Sequence, residues 1–151
     1  MRAGAAAAIL AIAKTSGSAA EPYIVPALSW CLELAADKEA AARDTSTEAV
    51  KYIVSEVVSG TSLVCAMPKL LEALEFAKKW QTKVLALQMI SDLSKRVPEK
   101  VQKSMPSIIP AVTPCMNDSK AQVATEAYTT MGDVCKVCGM LHRHLHHLVH
   151  W

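Results

Sequence analysis

Residues 65–97 read CAMPKLLEALEFAKKWQTKVLALQMISDLSKRV. Together with Val64, the residues Met67, Leu71 and Leu74 recur at steps of three and four, which places them on one face of a helix. A short corner, Ala77-Lys78-Lys79, interrupts the pattern. Trp80, Val84, Leu87, Ile90, Leu93 and Val97 then restart it as a second helix. A hairpin of two such helices cannot cover its own apolar face, so it requires neighbours of the same kind.

The neighbours are present on either side. YIVPALSWCLELAADK (23–38) and KSMPSIIPAVTPCMND (103–118) each carry a proline near the start of an apolar helical pattern, as residues 65–79 do; Pro26, Pro68 and Pro106 are spaced by 42 and 38 residues. The first helices read Ile24, Leu28, Cys31, Ala35 and Val101, Met105, Ile108, Val112, Met116; the second helices read Ala42, Ser46, Val50, Ile53, Val57 and Val123, Ala127, Met131, Val134, Cys138. Gly17 and Gly60 stand where a left-handed helix cap wants glycine. Pro98 forces Val97 out of helical geometry and opens the next helix. Asp37 and Asp118 stand between paired helices as candidate N-caps.

A repeat of about 40 residues built this way predicts an all-α fold, a right-handed α-solenoid of about three and a half hairpins. The expected divisions are a partial repeat at 1–17, hairpins at 18–60, 61–97 and 98–139, and a His-rich tail at 140–151 that does not belong to the repeats. Residues 2–14 read as a second helix whose first partner is missing, as in a fragment of a longer chain.

Composition agrees with helix. Hydrophobic residues are 52% of 151, much of that Ala, with one Phe. Net charge is +2, too small to mark a nucleic-acid binder by itself, but residues 21–76 carry four Lys/Arg against nine Asp/Glu while 77–105 carry seven against two. An electrically two-sided molecule is the expectation. The five cysteines are odd in number, and Cys31, Cys65 and Cys115 lie in apolar runs, which suits buried reduced thiols. The opening MRAGAAAAILAIAKTSGSAA has the flavour of a signal peptide but continues the helical repeat, so an Ala-rich helix packed on the domain is preferred. No run approaches the length of a bilayer span on this reading.

Two stretches stand out as candidate sites. In KKWQTKV (78–84), the phase of Trp80 matches Val84 and Leu87 and turns its ring inward, while Lys78, Lys79 and Lys83 stay solvated. With Lys95, Arg96, Lys100 and Lys103 they read as one basic edge able to meet phosphates or an acidic protein surface. An exposed Trp80 would instead offer a stacking platform or hot spot. The tail sets His142, His144, His146, His147 and His150 after Cys135 and Cys138, but the spacing fits no familiar zinc site and no metal is expected. No catalytic constellation or cofactor-binding motif is present, and the five glycines form no G-x-x-x-x-G-K-[ST] phosphate loop.

EPYIVPAL (21–28), MPKLLEALEFAKKWQTKVLAL (67–87), MPSIIPAVTPCMNDSKAQV (105–123) and TTMGDVCKVC (129–138) resemble the N-terminal HEAT-repeat region of fungal-type translation elongation factor three, over roughly residues 5–139. The block around KKWQTKV is the most specific part. The resemblance implies a cytosolic, non-catalytic scaffold that docks on the ribosome, through rRNA or ribosomal proteins, and on other domains of its own chain. It implies neither a membrane nor a small-molecule substrate, and places ATP hydrolysis in separate ABC-type cassettes. A related segment occurs in the translational activator of the general-control kinase. General HEAT scaffolds of the transport-receptor or phosphatase-scaffold kind remain the alternative. The family commonly has Trp-Asp where this chain has Asn117-Asp118, and the likeness stops after Gly139.

Overall fold

The computed structural model describes residues 1–148, the side chains of Cys138 and of residues 140–148 excepted. Among the described residues every regular element is helical: α1 (Arg2–Ser16), α2 (Glu21–Ile24), α3 (Leu28–Leu34), α4 (Ala40–Tyr52), α5 (Leu63–Phe76), α6 (Trp80–Arg96), α7 (Pro98–Cys115) and α8 (Ala121–Leu148). The hairpins are α2–α3 with α4, α5 with α6, and α7 with α8. They stack so that first helices adjoin first helices, and α1 lies along α4 as a second helix would.

The apolar stripes are the core. Leu28, Cys31, Val50, Ile53, Leu87, Ile90, Leu93, Val101, Ile108, Val112, Val123 and Val134 are fully enclosed. The α5 stripe is rotated from the expected one: Leu63, Ala66, Met67, Leu70 and Leu74 face inward, whereas Val64 is 75% exposed. Cys65 is exposed as well, while Cys31 and Cys115 are buried; burial pushes the Cys31 thiol up to about 11, so it stays protonated.

Helix α1 approaches α4 through small residues, with Ala6, Ala13, Ala42, Ser46 and Ala49 all at 0% exposure. The Ser46 hydroxyl finds no hydrogen-bond partner there. Ser46→Ala is therefore expected to stabilise the protein by about 0.5–1 kcal/mol, because it removes an unpaid desolvation and installs a better helix former. Thermal unfolding checks this, and a lower Tm would show that the hydroxyl is paired after all. Residues Arg2–Leu34 taken together are long and apolar enough to cross a bilayer, at a mean hydropathy of 1.2, contrary to the expectation above. Here the stretch is broken at Gly17, which adopts φ 51° and ψ −132°, a conformation open only to glycine. The glycine cap is not repeated: Gly60 has no positive φ.

Proline placement also differs in detail. Pro68 and Pro106 sit inside α5 and α7 rather than at their starts, and Pro26 sits in a tight turn before α3. All three nonetheless occupy corresponding places, a little over two turns before the end of their first helix. Each is on an exposed face, where water can take the carbonyl that a proline leaves without an amide. Pro98 does open α7, and Val97 is non-helical at φ −132°.

Adjacent second helices do not all pack alike. α1 lies on α4 and α6 on α8 along their lengths, but α4 and α6 diverge. At one end a π-turn, Ile53–Val57, is closed by the Val58 N–H donating to the Ile53 carbonyl at 2.8 Å, and Arg96 Nη2 donates to the carbonyls of Val54 and of Val58 (3.3 Å for the latter). At the other end a wedge of about 590 Å³ opens between Arg43, Thr47, Trp80 and Gln88. Helix α8 runs unbroken through Gly139 to Leu148.

Candidate functional site

The three turns inside the hairpins lie side by side on one edge: Asp37-Lys38-Glu39, Ala77-Lys78-Lys79 and Asp118-Ser119-Lys120. The outer two share one device. Asp37 Oδ1 accepts from the Glu39 N–H at 2.9 Å, and Asp118 Oδ1 from the Lys120 N–H at 2.9 Å. Neither aspartate is the N-cap expected of it: Asp37 stands two residues before Glu39, the N-cap of α4, Asp118 stands three before the start of α8, and each carboxylate instead closes the turn into the second helix. These amides are the main reason both carboxyls are held below the usual range, with Arg2 and Lys79 adding to the effect at Asp37 and Lys83 at Asp118.

The middle turn has Ala77 where its neighbours have aspartate, and it supplies cations instead. Lys79 Nζ donates to the Ala36 carbonyl in the preceding turn, and Lys83 Nζ meets Asp118 Oδ2 at 3.1 Å in the following one. Arg2 pairs with Asp37 at 2.7 Å, and Arg43 donates to the Asp37 carbonyl at 3.3 Å. Lys79 and Lys83 therefore tie three repeats together. Aligning the three turns would have found this, since the vacant carboxylate of Ala77 is visible in the sequence.

A cleft of about 570 Å³ runs along this edge, lined by five lysines (Lys38, Lys78, Lys79, Lys83 and Lys120) against two aspartates. Lys38, Lys78 and Lys120 are exposed and make no ion pair among the described residues. Lys38 and Lys120 come from neighbouring repeats and were not singled out in the sequence. Trp80 is half-buried against the core and borders both this cleft and the wedge between α4 and α6.

The remaining candidates lie elsewhere. α6 is 17 residues long, which separates Lys78 and Lys79 at its start from Lys95 and Arg96 at its end by about 25 Å. Lys95 meets Asp133 at 2.9 Å, an interaction that raises the pKa of the lysine; Lys100 lies over Gly60, and Lys103 borders a groove on the first helices. The expected single basic edge is two places, and two of its seven cations, Lys83 and Lys95, pair with carboxylates of the next repeat. Asp133 is the most strongly held of these: Ser91 Oγ donates to it at 2.6 Å, Lys95 and Lys136 flank it, and its pKa falls to about 2. Cys135 is exposed, whereas Cys138 and the side chains of all five histidines, with the whole of His150, lie outside the described residues. Among the described residues no three His, Cys, Asp or Glu side chains come together as metal ligands do.

A family model described as the EF3 N-terminal HEAT repeat matches residues 1–131. Elongation factor 3 of Phytophthora infestans is 41% identical over 119 residues, 79% of this chain and 11% of that protein. Elongation factor 3 of Gonapodya prolifera is 31% identical over 118 residues, 78% of this chain and 11% of its own. The eIF-2-alpha kinase activator GCN1 of Dictyostelium discoideum is 30% identical over 138 residues, 89% of this chain and 5% of that protein. The chain thus spans about a tenth or less of the length of these relatives. No solved structure matches it.

Proposed function

Because the chain belongs to the EF3 N-terminal HEAT repeat family, we propose that it is the ribosome-docking HEAT segment of an elongation factor 3-like translation factor, a cytosolic scaffold that performs no chemistry itself. ATP hydrolysis would belong to other parts of the longer protein. The observation that carries the docking assignment is the row of uncommitted lysines on the corner edge, Lys38, Lys78 and Lys120, one from each stacked repeat. Stacking sets them apart by roughly the spacing of packed helices, about 10 Å. Such a row attracts a polyanionic surface, speeds encounter and releases counterions on binding. Positions Lys79 and Lys83 contribute field, but their main work is to hold the turns in register.

Reversing Lys38, Lys78 and Lys120 to Glu together is expected to weaken co-sedimentation with ribosomes at least about tenfold at low salt, and to flatten the dependence of log K on log salt by about three. These three are exposed, so the variant keeps its fold. Unchanged pelleting across the salt series would overturn the assignment of the corner edge. A second reading, a HEAT segment of an eIF-2-alpha kinase activator, is favoured by the greater share of the chain, 89%, that aligns with that relative. It would leave ribosome pelleting insensitive to these three lysines.

A further inference from the structure

The first helices α5 and α7 leave a groove of about 1080 Å³ between them that reaches the corner edge at one end, where Lys83 and Asp118 line both. α5 contributes Val64, Pro68 and Leu71, while α7 answers with the smaller Ser104, Ser107 and Ala111; that mismatch in size is why the helices do not close on each other. Val64 is 75% exposed, and Phe76, at the far end, is 68% exposed. Of the eight large hydrophobic residues exposed among the described residues, five lie on first helices: Tyr23, Trp30, Val64, Phe76 and Ile109. Two of them, Val64 and Phe76, line the groove, and large apolar residues left exposed together there mark a contact surface.

The groove also has a charge polarity. Glu72 and Glu75 stand at the end nearest Phe76, where α5 and α7 both terminate. Of the two lysines that line the groove, Lys83 stands at this end and is engaged with Asp118. Pro110 and Pro114 on the α7 rim have no N–H, so the carbonyls of Pro106 and Pro110 cannot receive the usual amide from four residues on. Within the groove lining this end carries three carboxylates, Glu72, Glu75 and Asp118, against Lys83 alone. Lys103 marks the opposite end. A nucleic-acid backbone is repelled by such a site, whereas cationic side chains are drawn to it.

We infer that this groove docks a protein segment, an amphipathic helix whose apolar face fills the channel over Val64, Leu71 and Phe76 and whose Lys or Arg side chains, clustered at one end, meet Glu72 and Glu75. The stretch from Val64 to Phe76 is about 18 Å long, room for roughly three turns with anchors at i, i+3 or i+4, and i+7. The inference uses none of Lys38, Lys78 and Lys120, so it stands or falls apart from the docking assignment.

The test uses the whole chain and two fluorescein-labelled helical peptides of about 15 residues. Both carry leucines at helical spacing; one has two arginines at one end, the other two glutamates. The arginine peptide is expected to bind at least about tenfold tighter. Glu72→Lys with Glu75→Lys is expected to invert that preference, and Ser107→Trp, which fills the channel from an exposed position, to abolish binding of both peptides. Helical content by circular dichroism confirms that the variants fold. Equal affinity for the two peptides, failure of both to bind, or affinity untouched by the Glu72/Glu75 reversal or by Ser107→Trp overturns the inference. Displacement of the arginine peptide from the groove by a short single-stranded RNA overturns it in favour of a nucleic-acid partner. The variant reversed at Lys38, Lys78 and Lys120 is expected to bind the arginine peptide as the parent does, so failure of the corner-edge reading and failure of the groove are told apart.

Discussion

Ile90→Ala is expected to destabilise the protein by about 3 kcal/mol, within the range of 2–5 kcal/mol for truncating a fully enclosed aliphatic side chain. Ile90 is at 0% exposure on α6, the helix that packs on α5 within its own hairpin and on α8 in the next. In a stack of repeats each unit is held by its own fold and by the interfaces with its neighbours, so a cavity in the middle hairpin weakens several contacts at once. Against a total of about 5–15 kcal/mol for a domain of this size the loss is large. Urea unfolding measures it, with Ile90→Val as the graded control at about 1 kcal/mol. A loss below 1 kcal/mol for the alanine variant would mean that the middle hairpin is not held as described.

Asp133→Ala is expected to cost about 2–3 kcal/mol, because it strands the buried Ser91 hydroxyl and removes the partner of Lys95 and Lys136. The Asp133 carboxyl is only 7% exposed as a residue, and its pKa of about 2 lies below the ordinary aspartate value of 3.8. The direction of the pH effect follows. A depressed carboxylate stabilises the fold above the ordinary aspartate range, and that contribution, about 2 kcal/mol, is lost as pH falls from about 4 through about 2. Asp133→Asn keeps an acceptor but has no charge to lose, so the stability gap between parent and variant should be constant from neutral pH to about pH 5 and shrink toward pH 2. A gap that persists at pH 2 would show that the charge is not what Asp133 contributes.

The hairpin periodicity was legible because α4 and α8 are amphipathic with a single clear phase: Ala42, Ser46 and Val50 on one, and Val123, Ala127 and Val134 on the other, are enclosed as expected, with Met131 half-buried. It was ambiguous on α5, where Leu63, Val64, Cys65, Ala66 and Met67 are consecutive apolar residues and helical phase alone cannot choose among them. Packing against α6 and α7 chose Leu63, Ala66 and Met67 and left Val64 at the mouth of the groove. The basic candidates were grouped by nearness along the chain, yet a straight helix carries Lys78 and Arg96 to opposite ends. Lys83 was read as a free contact, yet its partner Asp118 is 35 residues away and is reached only through the stack. Trp80 resisted a single assignment for a physical reason: its ring packs on the core and borders two clefts at once.

The divergence of α4 and α6 has a mechanical consequence. α1 with α4, and α6 with α8, pack as two units, and the seam between them is joined by the first helices, by the guanidinium of Arg96 at one end, and at the other by Lys79 on the Ala36 carbonyl and Thr82 on the Leu32 carbonyl. Bending compliance therefore concentrates in that seam. A load on the stack crosses that seam through fewer packed side chains than it meets within either unit, and the indole of Trp80 stands at the mouth of the wedge where that load is carried.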